Sequence, residues 1–95
     1  MSALVKRRDR WRVVLAAELE KWSAMTYEQL ASDLREAKTY EISIADRGYQ
    51  VEVQLLEKTP QDVHVLISVD DGTLPLSIVP VSGDFIREKN SAPLK

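Results

Sequence analysis

The chain contains no cysteine, which removes disulfides, thiolate metal sites, redox couples and cysteine nucleophiles. A single histidine, His64, removes every metal or acid–base site that needs two imidazoles. Three glycines and four prolines in 95 residues are too few for a linker-like chain, and they form no Gly-rich phosphate loop. Nowhere does an apolar run approach the ~18 residues of a membrane span. The apolar run nearest the N-terminus, Val13-Val14-Leu15-Ala16-Ala17, ends at Glu18 after five residues. A secretory signal needs roughly 7–15, so the expected location is the cytoplasm.

What is present, 44% hydrophobic and 29% charged residues, is the composition of a folded globular domain. A chain of this size is expected to form one domain over residues 1–95, burying roughly 60–65% of its unfolded surface. Its net charge of −2 hides an asymmetry. Residues 1–12 hold five cations, Lys6, Arg7, Arg8, Arg10 and Arg12, against Asp9 alone, so a local +4 leaves −6 for the remainder. These five, with Trp11 to stack on a base, are the candidate nucleic-acid contacts. The acidic remainder would repel a polyanion, which disfavours nucleic acid as the partner. Cations near a helix N-terminus also oppose its macrodipole, so an acidic surface on the same protein or on a neighbour is expected to hold them.

Leu4, Trp11, Val14, Leu15, Leu19 and Trp22 fall on one stripe of a helix over about residues 4–22. Thr26-Tyr27-Glu28-Gln29 reads as a capping box opening a second helix, with Tyr27, Leu30, Leu34 and Ala37 on its buried face and an end near Lys38. After Thr39 the period changes to two. Tyr40, Ile42 and Ile44, then Tyr49, Val51, Val53 and Leu55, then Val63, Val65, Ile67 and Val69 give three half-buried strands. Asp46-Arg47-Gly48 is the expected hairpin loop, and Thr59-Pro60-Gln61-Asp62 the next turn, with Asp62 bonding its own backbone. A fourth extended segment over residues 76–81 carries Pro80 and follows Pro75, as an edge strand would. Ser82-Gly83-Asp84 then breaks the chain before Phe85-Ile86, a short last strand or apolar anchor, and residues 88–95 form a frayed tail. The fold class is α+β: two N-terminal helices packed on one face of a four- to five-stranded antiparallel meander sheet.

Within that frame the chemical signals are sparse. His64 lies out of phase with Val63, Val65 and Ile67, on the face of Glu52 or Gln54, Leu66 and Ser68, where a carboxylate beside it could make a general base or a metal ligand pair. No nucleophile motif accompanies it, so a surface role is the simpler expectation. Asp70-Asp71-Gly72 lacks the spaced ligands of a calcium loop and reads as a turn. Thr26-Tyr27-Glu28-Gln29-Leu30-Ala31 resembles the opening helix of helix-turn-helix domains, but a strand begins where the recognition helix should stand. Leu56, Leu66, Leu74 and Leu76 are apolar residues outside the main pattern and mark a candidate partner surface.

The run from Val63 to Gly72, followed by Leu74-Pro75, Ser77, Pro80, Ser82 and Phe85-Ile86, resembles a small group of bacterial proteins of unassigned function. The resemblance extends over most of the chain from Trp22 onward. It implies a stand-alone bacterial domain and brings no activity, cofactor or catalytic residue. The leading expectation is a non-enzymatic interaction domain, a homodimer or a binder of a protein partner, with no cofactor, metal or membrane. Trp11, Trp22, Tyr27, His64, Leu66, Leu74 and Leu76 are its candidate contact residues. The alternatives are a small-molecule or peptide pocket between helices and sheet, lined by Trp11, Trp22, Tyr27 or Tyr49, and nucleic-acid binding through the basic start.

Overall fold

A computed structural model describes the backbone of residues 3–71 and 80–89 and the side chains of residues 9–71 and 80–89. Helix α1 spans Ala3–Ser23, one residue beyond the expected range at each end. Trp11, Val14, Leu15 and Trp22 of its stripe are buried and Leu19 is half-buried, while Leu4 lies outside the described side chains. Helix α2 covers only Tyr27–Asp33. The capping box is formed as expected: the Gln29 amide donates to Thr26 Oγ1 at 3.2 Å, and the Thr26 amide donates to Gln29 Oε1 at 3.0 Å. The expected continuation to Lys38 does not occur. Leu34 leaves helical geometry at φ −107°, still buried and still bonding Leu30, because the chain must reverse within a few residues to enter a strand at Lys38. Ala37, expected on the buried face, is exposed.

The sheet is an antiparallel meander in the order β1 (Lys38–Ile44), β2 (Arg47–Lys58), β3 (Asp62–Asp70) and β4 (Val81–Glu88). Helix α1 packs on β3 and β4, and α2 on β3. Central strand β3 alternates strictly, with Val63, Val65, Ile67 and Val69 at 0% exposure beneath the helices. Burying each such side chain stabilises the fold by about 1.5–3 kcal/mol. Ile44, expected in the core, is exposed because β1 runs out past the helical cover.

Three turn and strand assignments differ from expectation. The β1–β2 hairpin turns at Ala45-Asp46, not at Asp46-Arg47-Gly48: Ile44 pairs with Arg47, and Ala45 and Asp46 both take positive φ, 52° and 64°. That is the two-residue turn whose twist matches paired strands, here built without the Asn-Gly it favours. An Ala45→Asn/Asp46→Gly variant is therefore expected to gain about 1 kcal/mol, since left-handed geometry costs most side chains roughly 1–2 kcal/mol. Chemical denaturation would show it as a higher midpoint with unchanged slope. At residues 59–62 the turn is held by Thr59, whose hydroxyl accepts from the amides of Gln61 (3.1 Å) and Asp62 (3.0 Å); the Asp62 side chain instead accepts from that hydroxyl.

The third difference concerns the last strand. Ser82-Gly83-Asp84 does not break the chain but lies inside β4, which also contains Phe85 and Ile86. A Cβ at Gly83 would stand 2.9 Å from Leu19 Cδ1 and 3.5 Å from Leu15 Cδ2, so the absent side chain is what lets α1 settle onto the strand. Glu88, expected in the tail, closes β4, and residues 90–95 lie outside the described residues. Most of the expected strand over residues 76–81 does too; its last residue, Val81, opens β4.

Candidate functional site

The helices leave one face of the sheet uncovered by any described element. Register assigns each strand residue to a face, because residues opposite one another in an antiparallel ladder point the same way. On the helix-packed face lie the rows Tyr40–Val51–Val69–Val81 and Lys38–Val53–Ile67–Gly83, with Val63 opposite both Lys58 and Arg87. On the open face lie Thr39–Glu52–Ser68–Ser82, Glu41–Gln50–Asp70, Gln54–Leu66–Asp84 and Glu57–His64–Ile86.

This assignment separates the charges completely. Every Lys and Arg within the four strands, namely Lys38, Arg47, Lys58 and Arg87, belongs to the helix-packed face. Every Asp and Glu within them belongs to the open face: Glu41, Glu52, Glu57, Asp62, Asp70, Asp84 and Glu88. The irregularity between Leu55 and Glu57 is essential to the sorting. It shifts the phase of β2 by one residue, placing Glu57 opposite His64 and Lys58 opposite Val63.

Among the described strand residues, the one basic side chain on the open face is His64, whose Nε2 lies 2.5 Å from Asp84 Oδ2. Its carboxylate partner comes from β4, not from Glu52 or Gln54 on β2. Toward β1 and the end of β3 the same face carries a concavity of about 540 Å3, lined by Thr39, Glu41, Gln50, Glu52, Ser68 and Asp70 among others. Among the described residues no three His, Asp or Glu side chains converge as metal ligands would. The carboxylates are spread over four strands, an arrangement suited to an extended cationic surface more than to a point ion.

Trp11, Trp22 and Tyr27 are core residues, at 0%, 4% and 8% exposure, and Tyr49 is buried with them. Trp11 therefore faces the sheet and is not placed to stack on a base. The concavity described above lies on the opposite side of the sheet from these four aromatics. Leu66 is half-buried on the open face, Leu56 is exposed at the bulge, and Leu74 and Leu76 lie outside the described residues. Arg10 is half-buried, and Arg12 is exposed and paired with Asp9 at 3.2 Å; the side chains of Lys6, Arg7 and Arg8 lie outside the described residues.

A buried polar cluster joins α1 to β1 on the helix side. Trp22 Nε1 donates to Tyr40 Oη at 2.9 Å, and Tyr40 Oη donates to the carboxylate of Glu18, itself only 7% exposed. Lys21 Nζ lies 3.8 Å from Glu18 Oε1 and 5.0 Å from the centre of the Tyr40 ring. Burial, and then the hydrogen bond to Glu18, push the Tyr40 hydroxyl up to about 12. At the end of α1, the buried guanidinium of Arg87 donates to the Ser23 carbonyl, where a cation complements the helix dipole. Both arrangements tie helix to sheet and point away from the open face.

No described helix is long and apolar enough to cross a membrane. The open acidic face was hidden in the sequence by the bulge at Leu56 and by the strand character of residues 81–88; with those two facts, alternation alone would have found it. No protein-family model, curated protein or solved structure matches the chain.

Proposed function

We propose that the chain is a non-enzymatic interaction domain that binds a cationic protein surface through the open face of its sheet. The observation that carries this reading is the complete sorting of strand charges, with all seven strand carboxylates on the side that no described element covers. Leu66, half-buried, and Ile86, 60% exposed, add an apolar component at one end of the face. His64 and Asp84, in contact across β3 and β4, serve as part of the same surface.

The test is titration with a labelled short oligolysine, followed by fluorescence anisotropy. Neutralising Glu41, Glu52 and Glu57 together, as E41Q/E52Q/E57Q, is expected to weaken binding about tenfold, at roughly 0.5 kcal/mol per screened surface pair. The triple variant E20Q/E28Q/E36Q makes the same change in net charge at exposed positions outside the sheet and is expected to leave affinity within about twofold. Equal losses in the two variants would show that net charge, not this face, attracts the peptide, and would refute the reading.

A further inference from the structure

We infer that the cationic surface received by the open face is the basic start of α1 from a second copy of this chain, an inference that rests on the interaction reading above. The two surfaces are complementary in charge: residues 1–12 carry a net +4, and the open face carries seven carboxylates with one histidine. From Trp11 onward α1 lies against the opposite side of the sheet, and Trp11 is the first described side chain in the core. About two turns of helix precede it.

The start of α1 also sets its cations against the helix dipole. The first turn of α1 contains no acidic residue, so the positive pole of the helix dipole and the cations that follow reinforce one another. Asp9 partners Arg12, but both side chains remain more than half exposed, at 57% and 62%. A surface of carboxylates distributed over four strands neutralises such a segment without needing a single point of convergence. The contact is heterologous, basic end to acidic face, so each copy offers one of each.

Light scattering coupled to size exclusion, over a wide concentration range at low and high salt, reads the assembly directly. The wild-type chain is expected to self-associate at low salt and to dissociate as salt screens the contact. R7E/R8E/R10E, reversed at the basic end, and E41K/E52K/E57K, reversed on the face, are each expected to be monomeric at low salt. Mixing these two variants in equal amounts should restore association, because each supplies the complement of the other; circular dichroism confirms that both are folded. A synthetic peptide of residues 1–12 needs no variant, and is expected to dissolve the low-salt assembly of the wild type.

Association indifferent to salt, a mixture that stays monomeric, or an assembly unmoved by the peptide would overturn the proposal. A wild-type monomer at every concentration would overturn it too. If that monomer still bound oligolysine through Glu41, Glu52 and Glu57, the occupant would be another basic protein and the interaction reading would stand. A monomer that failed to bind oligolysine would bring down both.

Discussion

Replacing Trp11 by alanine is expected to cost about 3–5 kcal/mol, a large share of the ~5–15 kcal/mol that holds a domain together. Trp11 has no exposed surface, and it stands at the start of the stripe that seals α1 onto β3 and β4. Its removal leaves a cavity that the sheet beneath cannot fill, since Val63, Val65, Ile67 and Val69 are fixed by ladder pairing on both sides. Trp22 remains in the variant as the fluorescent reporter, so urea unfolding measures the loss directly. Trp11→Phe should recover more than half of it. Were Trp11 a base-stacking residue, Trp11→Ala would instead leave stability nearly unchanged and act on oligonucleotide binding.

The second large effect is expected at Tyr40. Tyr40→Phe removes at once the donor to the buried Glu18 carboxylate and the acceptor of Trp22 Nε1, at a cost of about 2–3 kcal/mol for the groups left unsatisfied. The same cluster gives stability a pH dependence. The hydroxyl titrates at about 12 in the folded chain against 10.0 in the unfolded one, so the folded state holds its proton more tightly. Its contribution is fully present below pH 10 and is lost as pH rises through 12. Denaturation midpoints of the wild type should fall across that window, more steeply than those of Tyr40→Phe. Parallel curves for the two proteins would mean that neither burial nor the bond to Glu18 raises the Tyr40 hydroxyl.

Helix α1, the capping box at Thr26 and the first three strands are legible in the sequence because each follows one period and has a local signal at its end. What escaped depends on partners distant in the chain. The end of α2 at Asp33 is set by where β1 must begin, not by the helix-compatible Arg35-Glu36-Ala37. Ser82-Gly83-Asp84 looks like a break because glycine and short polar residues favour turns, yet pairing with Leu66, Ile67 and Ser68 makes it strand. The acidic face needed the register itself: one residue of slip at Leu56 decides whether Glu57 or Lys58 points outward. The alternation of His64 against Val63 and Val65 was readable, but its neighbour Asp84 was not, since that contact exists only once β4 is laid beside β3.

The close approach of Leu19 to Gly83 ties two positions into a compensated pair. A side chain at 83 makes the tip of Leu19 swing aside or favours a smaller residue at 19, and a smaller residue at 19 opposite glycine leaves a void. The sizes of the two residues are therefore coupled as sequences of this fold drift apart. Small at 83 with large at 19, or the reverse, is a fingerprint that persists after overall identity has faded, and it offers a way to recognise distant kin of this chain by two letters set sixty-four residues apart.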